Sequence, residues 1–224
     1  MPEDPYALIR TLSVAAIPLV FAITLHEAAH GWMARRFGDR TAEMLGRLSL
    51  NPLRHIDPVG TVIVPLAMLF MGGFIFGWAK PVPVNARALR NPRRDMIFVA
   101  AAGPGANLVM AFAWVLLFRV VETFAPGPAT AAVFLREMCA QGLFFNILLA
   151  VFNLLPIPPL DGGRMLRGVL DEPRGRWLDA LEPYGLIIVV ALLAIGALEY
   201  ILGPLFNTAQ DLVLWAAGLR VGSG

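Results

Sequence analysis

Residues 12–34, which read LSVAAIPLVFAITLHEAAHGWMA, decide the fold. The stretch is long enough for a membrane-spanning helix, which needs about 20 predominantly apolar residues. Three ionisable residues, His26, Glu27 and His30, interrupt the apolar run near its C-terminal end. Ionisable side chains at that depth are costly in a bilayer and usually serve a function. The stretch therefore predicts a membrane helix, kinked at Pro18, that carries a functional site.

The three ionisable residues form the pattern His-Glu-Ala-Ala-His. Side chains at i and i+4 share one helix face about 6 Å apart, so His26 and His30 could ligate one tetrahedral zinc ion. Glu27 lies about 100° around the helix, where its carboxylate could act as a general base without ligating. The alternative is a helix whose histidines bond to neighbouring helices. Their position inside an apolar span favours the metal site.

Composition excludes several classes of protein. Of the 224 residues, 58% are apolar and 15% are charged, whereas a soluble domain has about 45–50% and about 25%. A chain this apolar could not cover a water-exposed surface, which excludes a soluble enzyme, a disordered chain and a nucleic-acid binder. Cys139 is the single cysteine, so a disulfide scaffold and a cysteine zinc cluster are excluded too. The lipid bilayer is the solvent to expect.

Charge predicts the topology. Most of the 18 basic residues fall in three stretches, which are Arg35, Arg36, Arg40, Arg47 and Arg54; Lys80, Arg87, Arg90, Arg93 and Arg94; and Arg164, Arg167, Arg174 and Arg176. Because short loops rich in Lys and Arg stay in the cytoplasm, all three should face it. The apolar runs between them predict further spans at 96–121, 138–155 and 184–202. Residues 205–219 could span or lie along the interface.

Two regions predict departures from simple spans. Residues 59–78 are apolar but have basic stretches on both sides and are interrupted by Pro65 and a Gly-Gly pair. A re-entrant segment buried among helices fits this pattern, with an ordinary spanning helix as the alternative. Residues 47–51 alternate in polarity and residues 80–85 are extended by prolines, which predicts a small cytoplasmic β-hairpin. The expected fold is an all-α polytopic membrane protein with about five or six transmembrane or re-entrant segments.

The third zinc ligand must come from outside the first helix, because a catalytic zinc usually takes three protein ligands. Asp161 is the best candidate, in the segment FNLLPIPPLDGG at 152–163. The three prolines cannot continue a helix and predict an extended strip that lines a buried cavity. The alternative is that Asp161 caps the next helix. The two-histidine site that lacks a ligand favours the metal.

The motifs HEAAH at 26–30 and NLLPIPPLDG at 153–162 resemble those of the site-2 proteases, which are intramembrane zinc metalloproteases. Further stretches at 48–58, 77–83 and 102–107 are similar to the compact prokaryotic branch without a PDZ or CBS module. The resemblance covers roughly residues 12–175.

The resemblance implies one zinc ion held by His26, His30 and Asp161, with Glu27 as general base. It also implies that Asn153 and Asn107 contact the substrate or the transition state.

The sequence therefore predicts an intramembrane zinc endopeptidase that cleaves transmembrane segments of protein substrates, with its active site toward the cytoplasm. Residues 1–224 are expected to form one domain, with additional membrane helices at 184–219. His55 lies in a proline-bounded loop and could contribute to an oxyanion site or organise a turn. The alternative function is a membrane metal-handling or transport protein with a midplane zinc site. Glu27 argues against it, because a pure binding site needs no base.

Overall fold

Helices make up the regular structure of the described part of the chain. The computed structural model describes residues 5–55, 57–63 and 80–219, and these ranges contain no strand. The helices are α1 (Pro5–Arg36), α2 (Thr41–Met44), α3 (Pro92–Phe124), α4 (Thr130–Asn153), α5 (Asp161–Val169), α6 (Glu172–Leu181), α7 (Gly185–Ala194) and α8 (Ala197–Ala216). Single turns of 3-10 helix cover Pro52–Arg54, Ala86–Ala88 and Glu182–Tyr184. The all-α prediction is confirmed.

Four segments of the described chain are long and apolar enough to cross a membrane: Ser13–Arg36, Pro92–Phe124, Thr130–Asn153 and Glu172–Ala194. The first three overlap the spans predicted at 12–34, 96–121 and 138–155. Large apolar side chains lie on the outer faces of these helices, among them Val109 and Phe21, which are 70% and 54% exposed. Such faces fit contact with lipid. A polytopic membrane protein is confirmed, and the number of spans stays a prediction.

The apolar run predicted as a span over 184–202 is not one continuous helix, although its first part lies in the candidate span Glu172–Ala194. Helix α7 ends at Ala194, and Gly196 has a left-handed φ of 72° before α8 begins at Ala197. Glycine adopts this conformation at little cost because it has no Cβ, so it readily ends a helix. Helix α8 then continues through most of residues 205–219, and a span or an interfacial helix there stays a prediction.

The re-entrant segment predicted at 59–78 falls largely outside the described residues. Its first part is described: Pro58–Ile63 form a π-helical turn. Asp57 starts this turn, because its carboxylate accepts hydrogen bonds from the backbone N–H groups of Val59 at 2.9 Å and Gly60 at 2.8 Å. Residues 64–79 are not described.

The predicted β-hairpin is not formed, since residues 47–51 and 80–85 contain no strand. Proline is the physical reason: Pro81 and Pro83 have no N–H to donate to a ladder. A side chain joins the two stretches instead. The Arg47 guanidinium donates to the carbonyl oxygens of Lys80 at 2.8 Å and Pro81 at 3.3 Å.

Helix α3 organises the packing, because it contacts α1, α4 and α5. Small residues let the helix axes approach closely: Ala22, Ala28, Ala111 and Ala150 are all 0% exposed. At Gly142 of α4, an added Cβ would lie 2.4 Å from the Trp114 ring of α3. The close contact of these helices brings residues from α1 and α5 together against α3.

Candidate metal centre

Helix α1 places two imidazoles side by side. His26 and His30 are each 7% exposed, and their Nε2 atoms lie 3.1 Å apart. The spacing of one helical turn puts both rings on the face that packs against α3. The structure therefore brings the two predicted histidines together at one buried point.

Helix α5 supplies a carboxylate at the same point. Asp161 is the first residue of α5, and its Oδ2 lies 3.2 Å from Nε2 of His26 and 3.2 Å from Nε2 of His30. The N-cap is Leu160, and no side chain caps this helix. The carboxylate of Asp161 is thus turned toward the histidines rather than toward its own helix.

The Asp-Gly-Gly sequence explains how α5 can begin there. An added Cβ at Gly162 would lie 2.2 Å from the carbonyl oxygen of Leu154, and one at Gly163 would lie 2.6 Å from the nitrogen of Pro158. Real Cβ atoms do not approach backbone atoms so closely, so the first turn of α5 can rest on the proline-rich turn only with glycine at both positions. This contact fixes the position of Asp161.

Hydrogen bonds at the other ring nitrogens define the tautomers. Nδ1 of His30 lies 2.7 Å from the carbonyl oxygen of Val99, and Nδ1 of His26 lies 2.5 Å from Oδ1 of Asn107. Both oxygens only accept, so each Nδ1 carries the proton and donates it. A neutral imidazole has one N–H, and its other nitrogen carries a lone pair. Both Nε2 atoms are therefore electron-pair donors.

The three facing atoms fit a metal cation. Two Nε2 lone pairs and Oδ2 of Asp161 lie within 3.2 Å of one another. That Oδ2 is buried and makes no hydrogen bond within the described part of the chain. Three buried lone pairs repel one another unless a cation lies between them. Ligands at about 2.0–2.2 Å from a tetrahedral zinc are about 3.3–3.6 Å apart, close to the spacing seen here, so the donor set suits zinc.

Gly103 of α3 makes room for both imidazoles. An added Cβ there would lie 2.4 Å from Nε2 of His30 and 2.7 Å from Cε1 of His26. Gly103 is not among the site residues predicted from the sequence, although a glycine four residues before Asn107 indicates close helix packing.

Glu27 is held by a backbone N–H from outside its helix. The carboxylate of Glu27 accepts a hydrogen bond at Oε2 from the N–H of Val82 at 2.7 Å. Pro81 and Pro83 flank this donor and have none of their own, so the Pro-Val-Pro sequence directs a single N–H at the carboxylate. Glu27 is half-buried and does not belong to the group of three candidate ligands.

Residues 80–85, which we call the strap, are fixed at both ends. At one end the N–H of Lys80 donates to the carbonyl oxygen of His55 at 2.9 Å. At the other end the N–H of Asn85 donates to Oδ2 of Asp39 at 2.6 Å. Burial favours a higher pKa for the Asp39 carboxyl, but hydrogen bonds from Thr41 and Asn85 hold that pKa below its ordinary value. Asp39 therefore acts as an ionised anchor for the strap.

The other predicted site residues lie in different surroundings. Nε2 of His55 donates to the carbonyl oxygen of Ser49 at 2.8 Å, and the backbone carbonyl of His55 accepts from Lys80 of the strap. Asn153 is half-buried at the end of α4, where its Nδ2 donates to the carbonyl oxygen of Leu149 at 2.9 Å. Asn107 is fully buried behind His26. The sequence does not show these partners, because they depend on how separate segments meet.

Comparison with known proteins agrees with this geometry. The sequence profile of peptidase family M50 matches residues 14–134 and 118–196. The chain belongs to peptidase family M50. This family is that of the site-2 proteases, so the resemblance found in the sequence is confirmed.

Several relatives of this M50 chain are named as zinc metalloproteases. YwhC of Bacillus subtilis is 37% identical over 201 residues, which cover 88% of each protein. Rip2 of Mycolicibacterium smegmatis is 37% identical over 183 residues, 80% of this chain and 66% of that protein. Rip2 of Mycobacterium tuberculosis is 31% identical over 171 residues, 76% of this chain and 62% of that protein. This chain therefore spans about two thirds of the Rip2 proteins. No solved structure matches it.

The space at Gly103 gives a prediction with a matched control on the same helix. Gly103→Ala should remove bound zinc, because the new methyl group would occupy the volume of both imidazoles. Gly105→Ala should keep it, since an added Cβ there meets nothing within 4 Å. Metal analysis of the two purified variants measures the difference. Equal, full zinc content in both would show that the imidazoles do not bind zinc where they lie against Gly103.

Proposed function

We propose that this chain is an intramembrane zinc-dependent endopeptidase that hydrolyses peptide bonds within transmembrane segments of protein substrates, as in regulated intramembrane proteolysis. The observation that carries the proposal is the group of three buried donor atoms on His26, His30 and Asp161, next to the carboxylate of Glu27 on a candidate membrane span. Family M50 and the names of the relatives support the same function.

His26, His30 and Asp161 would hold the zinc ion, because their facing atoms form a cation-binding set. When bound, zinc supplies Lewis acidity, which makes water more acidic and the scissile carbonyl more electrophilic. The protein's part is to orient these ligands and to exclude other donors from a buried site.

Glu27 is the proposed general base and acid. It would take the proton of the attacking water and pass it to the amine nitrogen that leaves when the peptide C–N bond breaks. Because the N–H of Val82 donates to Oε2 of Glu27, Oε1 is the oxygen that remains for the proton transfer. A carboxylate with one oxygen fixed keeps its orientation through both transfers, and fixed orientation accounts for much of catalytic efficiency.

Asn153 is the proposed donor to the oxyanion of the tetrahedral intermediate. Its carboxamide lies at the end of α4, close in sequence to the turn that positions Asp161, and one amide donor can contribute several kcal/mol at such a site (about 2.7–4 kcal/mol). For His55, the hydrogen bond from its Nε2 to Ser49 favours support of the strap over contact with the oxyanion.

The alternative function, a metal-handling or transport protein, is not favoured. Glu27 is held beside the ligand group by a dedicated backbone donor, and an ion-binding site has no use for a positioned base. The M50 family and the relatives' names point to the protease as well.

We also propose that the chain forms one domain whose metal centre faces the cytoplasm, as the arginine-rich stretches predict. Arg90 lies in one of these stretches and is exposed. With Cys139 replaced by serine, a cysteine introduced at position 90 should react with a membrane-impermeant maleimide only from the cytoplasmic side. Reaction from the outside would show that the metal centre has the opposite orientation.

The test of the function combines zinc content with cleavage of a model transmembrane substrate. Glu27→Gln should keep zinc and lose cleavage, by at least about 100-fold, because the amide oxygen can still accept the Val82 hydrogen bond but cannot take a proton. Asp161→Ala should lose both zinc and cleavage.

Glu43→Gln serves as the matched control. Glu43 is a glutamate that pairs with Arg40 after the end of α1, with the Arg40 Nε at 2.8 Å, away from the metal centre. Its loss should leave zinc and cleavage unchanged. Cleavage by Glu27→Gln at the wild-type rate would refute the protease mechanism, and full zinc content in Asp161→Ala would remove Asp161 from the ligand set.

A further inference from the structure

Two buried asparagines lie behind the metal centre. Asn107 on α3 and Asn146 on α4 are both 0% exposed. Asn107 uses Oδ1 toward Nδ1 of His26 at 2.5 Å, and its Nδ2 donates to Oδ1 of Asn146 at 3.0 Å and to the carbonyl oxygen of Ala22 at 3.2 Å. Nδ2 of Asn146 donates to the carbonyl oxygen of Gly142 at 2.8 Å. The contacts form one continuous chain across three helices.

The direction of every hydrogen bond in this chain follows from the backbone carbonyls of Gly142 and Ala22, which can only accept. The Gly142 carbonyl can only accept, so Asn146 turns its NH₂ group to it and its oxygen to Asn107. Asn107 must then present its NH₂ group to Asn146 and its oxygen to His26. His26 can then donate to this oxygen only with a proton on Nδ1. Its lone pair is therefore on Nε2, the atom that faces His30 and Asp161.

We propose that Asn146 and Asn107 are positioning residues that lock His26 in the tautomer able to bind the metal. The inference rests on the proposed zinc site and extends it to two residues that touch neither metal nor substrate. Fixing a ligating histidine through its second nitrogen orients the ring and raises ligand basicity. Two fully satisfied amides achieve this without placing a further charge in the membrane interior.

The two histidines differ in how they are fixed. His30 donates to a backbone carbonyl, that of Val99, which no side-chain substitution removes. His26 depends on the side chain of Asn107. An amide group can present either its oxygen or its nitrogen to the ring, so its orientation must be fixed. Two acceptors remove this ambiguity, because Oδ1 of Asn146 and the carbonyl oxygen of Ala22 both accept hydrogen bonds from Nδ2 of Asn107.

Burial also favours this role for Asn107 over contact with the substrate. The side chain has no exposed surface, and both of its polar atoms already have protein partners. A substrate could reach Asn107 only after the hydrogen bonds to α1 and α4 had broken.

The experiment measures zinc affinity and the His26 tautomer in the full chain in detergent. Asn107→Leu keeps the side-chain size and removes all three hydrogen bonds of the Asn107 amide, to His26, Asn146 and Ala22. We expect the zinc dissociation constant, from competition with a chelator, to rise by about 10- to 100-fold. In the metal-free protein, ¹⁵N NMR should show His26 changing from the Nδ1–H form to a mixture, with His30 unchanged.

Asn146→Leu tests the far end of the chain. It removes one of the two acceptors that orient the Asn107 amide and leaves the Ala22 carbonyl. The His26 tautomer should therefore become partly mixed, with a smaller rise in the zinc dissociation constant than in Asn107→Leu. This variant also decides the matter if Asn107→Leu does not fold. Cys139→Ala removes another buried side chain of α4 and, as the control, should leave both measurements at wild-type values.

The proposed positioning role of Asn107 and Asn146 is wrong if the folded asparagine variants keep the wild-type zinc affinity and a pure Nδ1–H tautomer of His26. That result differs from failure of the zinc site itself. If the site is wrong, Asp161→Ala binds zinc like the wild type. If only the positioning role of the asparagines is wrong, Asp161→Ala loses zinc while the asparagine variants retain it.

Discussion

Three electron-pair donors facing one another in a membrane interior repel unless a cation separates them, and the structure around residues 26, 30 and 161 depends on this constraint. Their donor atoms lie 3.1–3.2 Å apart, so their lone pairs face one another at contact distance and repel unless a proton or a metal is shared between them. Burial strengthens the constraint, because no water is at hand to solvate the lone pairs. The ligand group, its supporting hydrogen bonds and the helix contacts around it are most simply understood as one metal site.

The rest of the fold supports this group of three donor atoms in two ways. Small residues bring α1, α3 and α5 close enough for side chains from distant parts of the chain to meet, as Gly103 does against the imidazoles and Gly162 against the turn before α5. Hydrogen bonds then fix each functional group from behind. A backbone carbonyl holds His30, an amide holds His26, and the strap donates to Glu27. A ligand or base that is held at its second polar atom loses little freedom when it acts.

Much of this site could be predicted from the sequence, because its key distances are local. The i, i+4 spacing of His26 and His30 ensures that their side chains share a helix face, and the charges inside an apolar run identify the site. Other features depend on how helices meet. The sequence does not reveal that Asn107 lies behind His26, since this needs the relative rotation of α1 and α3. The predicted β-hairpin does not form, although the alternating polarity of residues 47–51 indicated it, because two prolines in the strap remove the N–H donors that a β-ladder needs. The helix break at Gly196 likewise depends on one glycine whose conformation the apolar pattern does not reveal.

The most direct test of the account is zinc K-edge X-ray absorption on the zinc-loaded full chain. A site formed by His26, His30 and Asp161 should show nitrogen and oxygen ligands only, at about 2.0–2.2 Å, with the multiple-scattering signature of two imidazoles. A sulfur ligand at about 2.3 Å, or a first shell with fewer than two imidazoles, would contradict it.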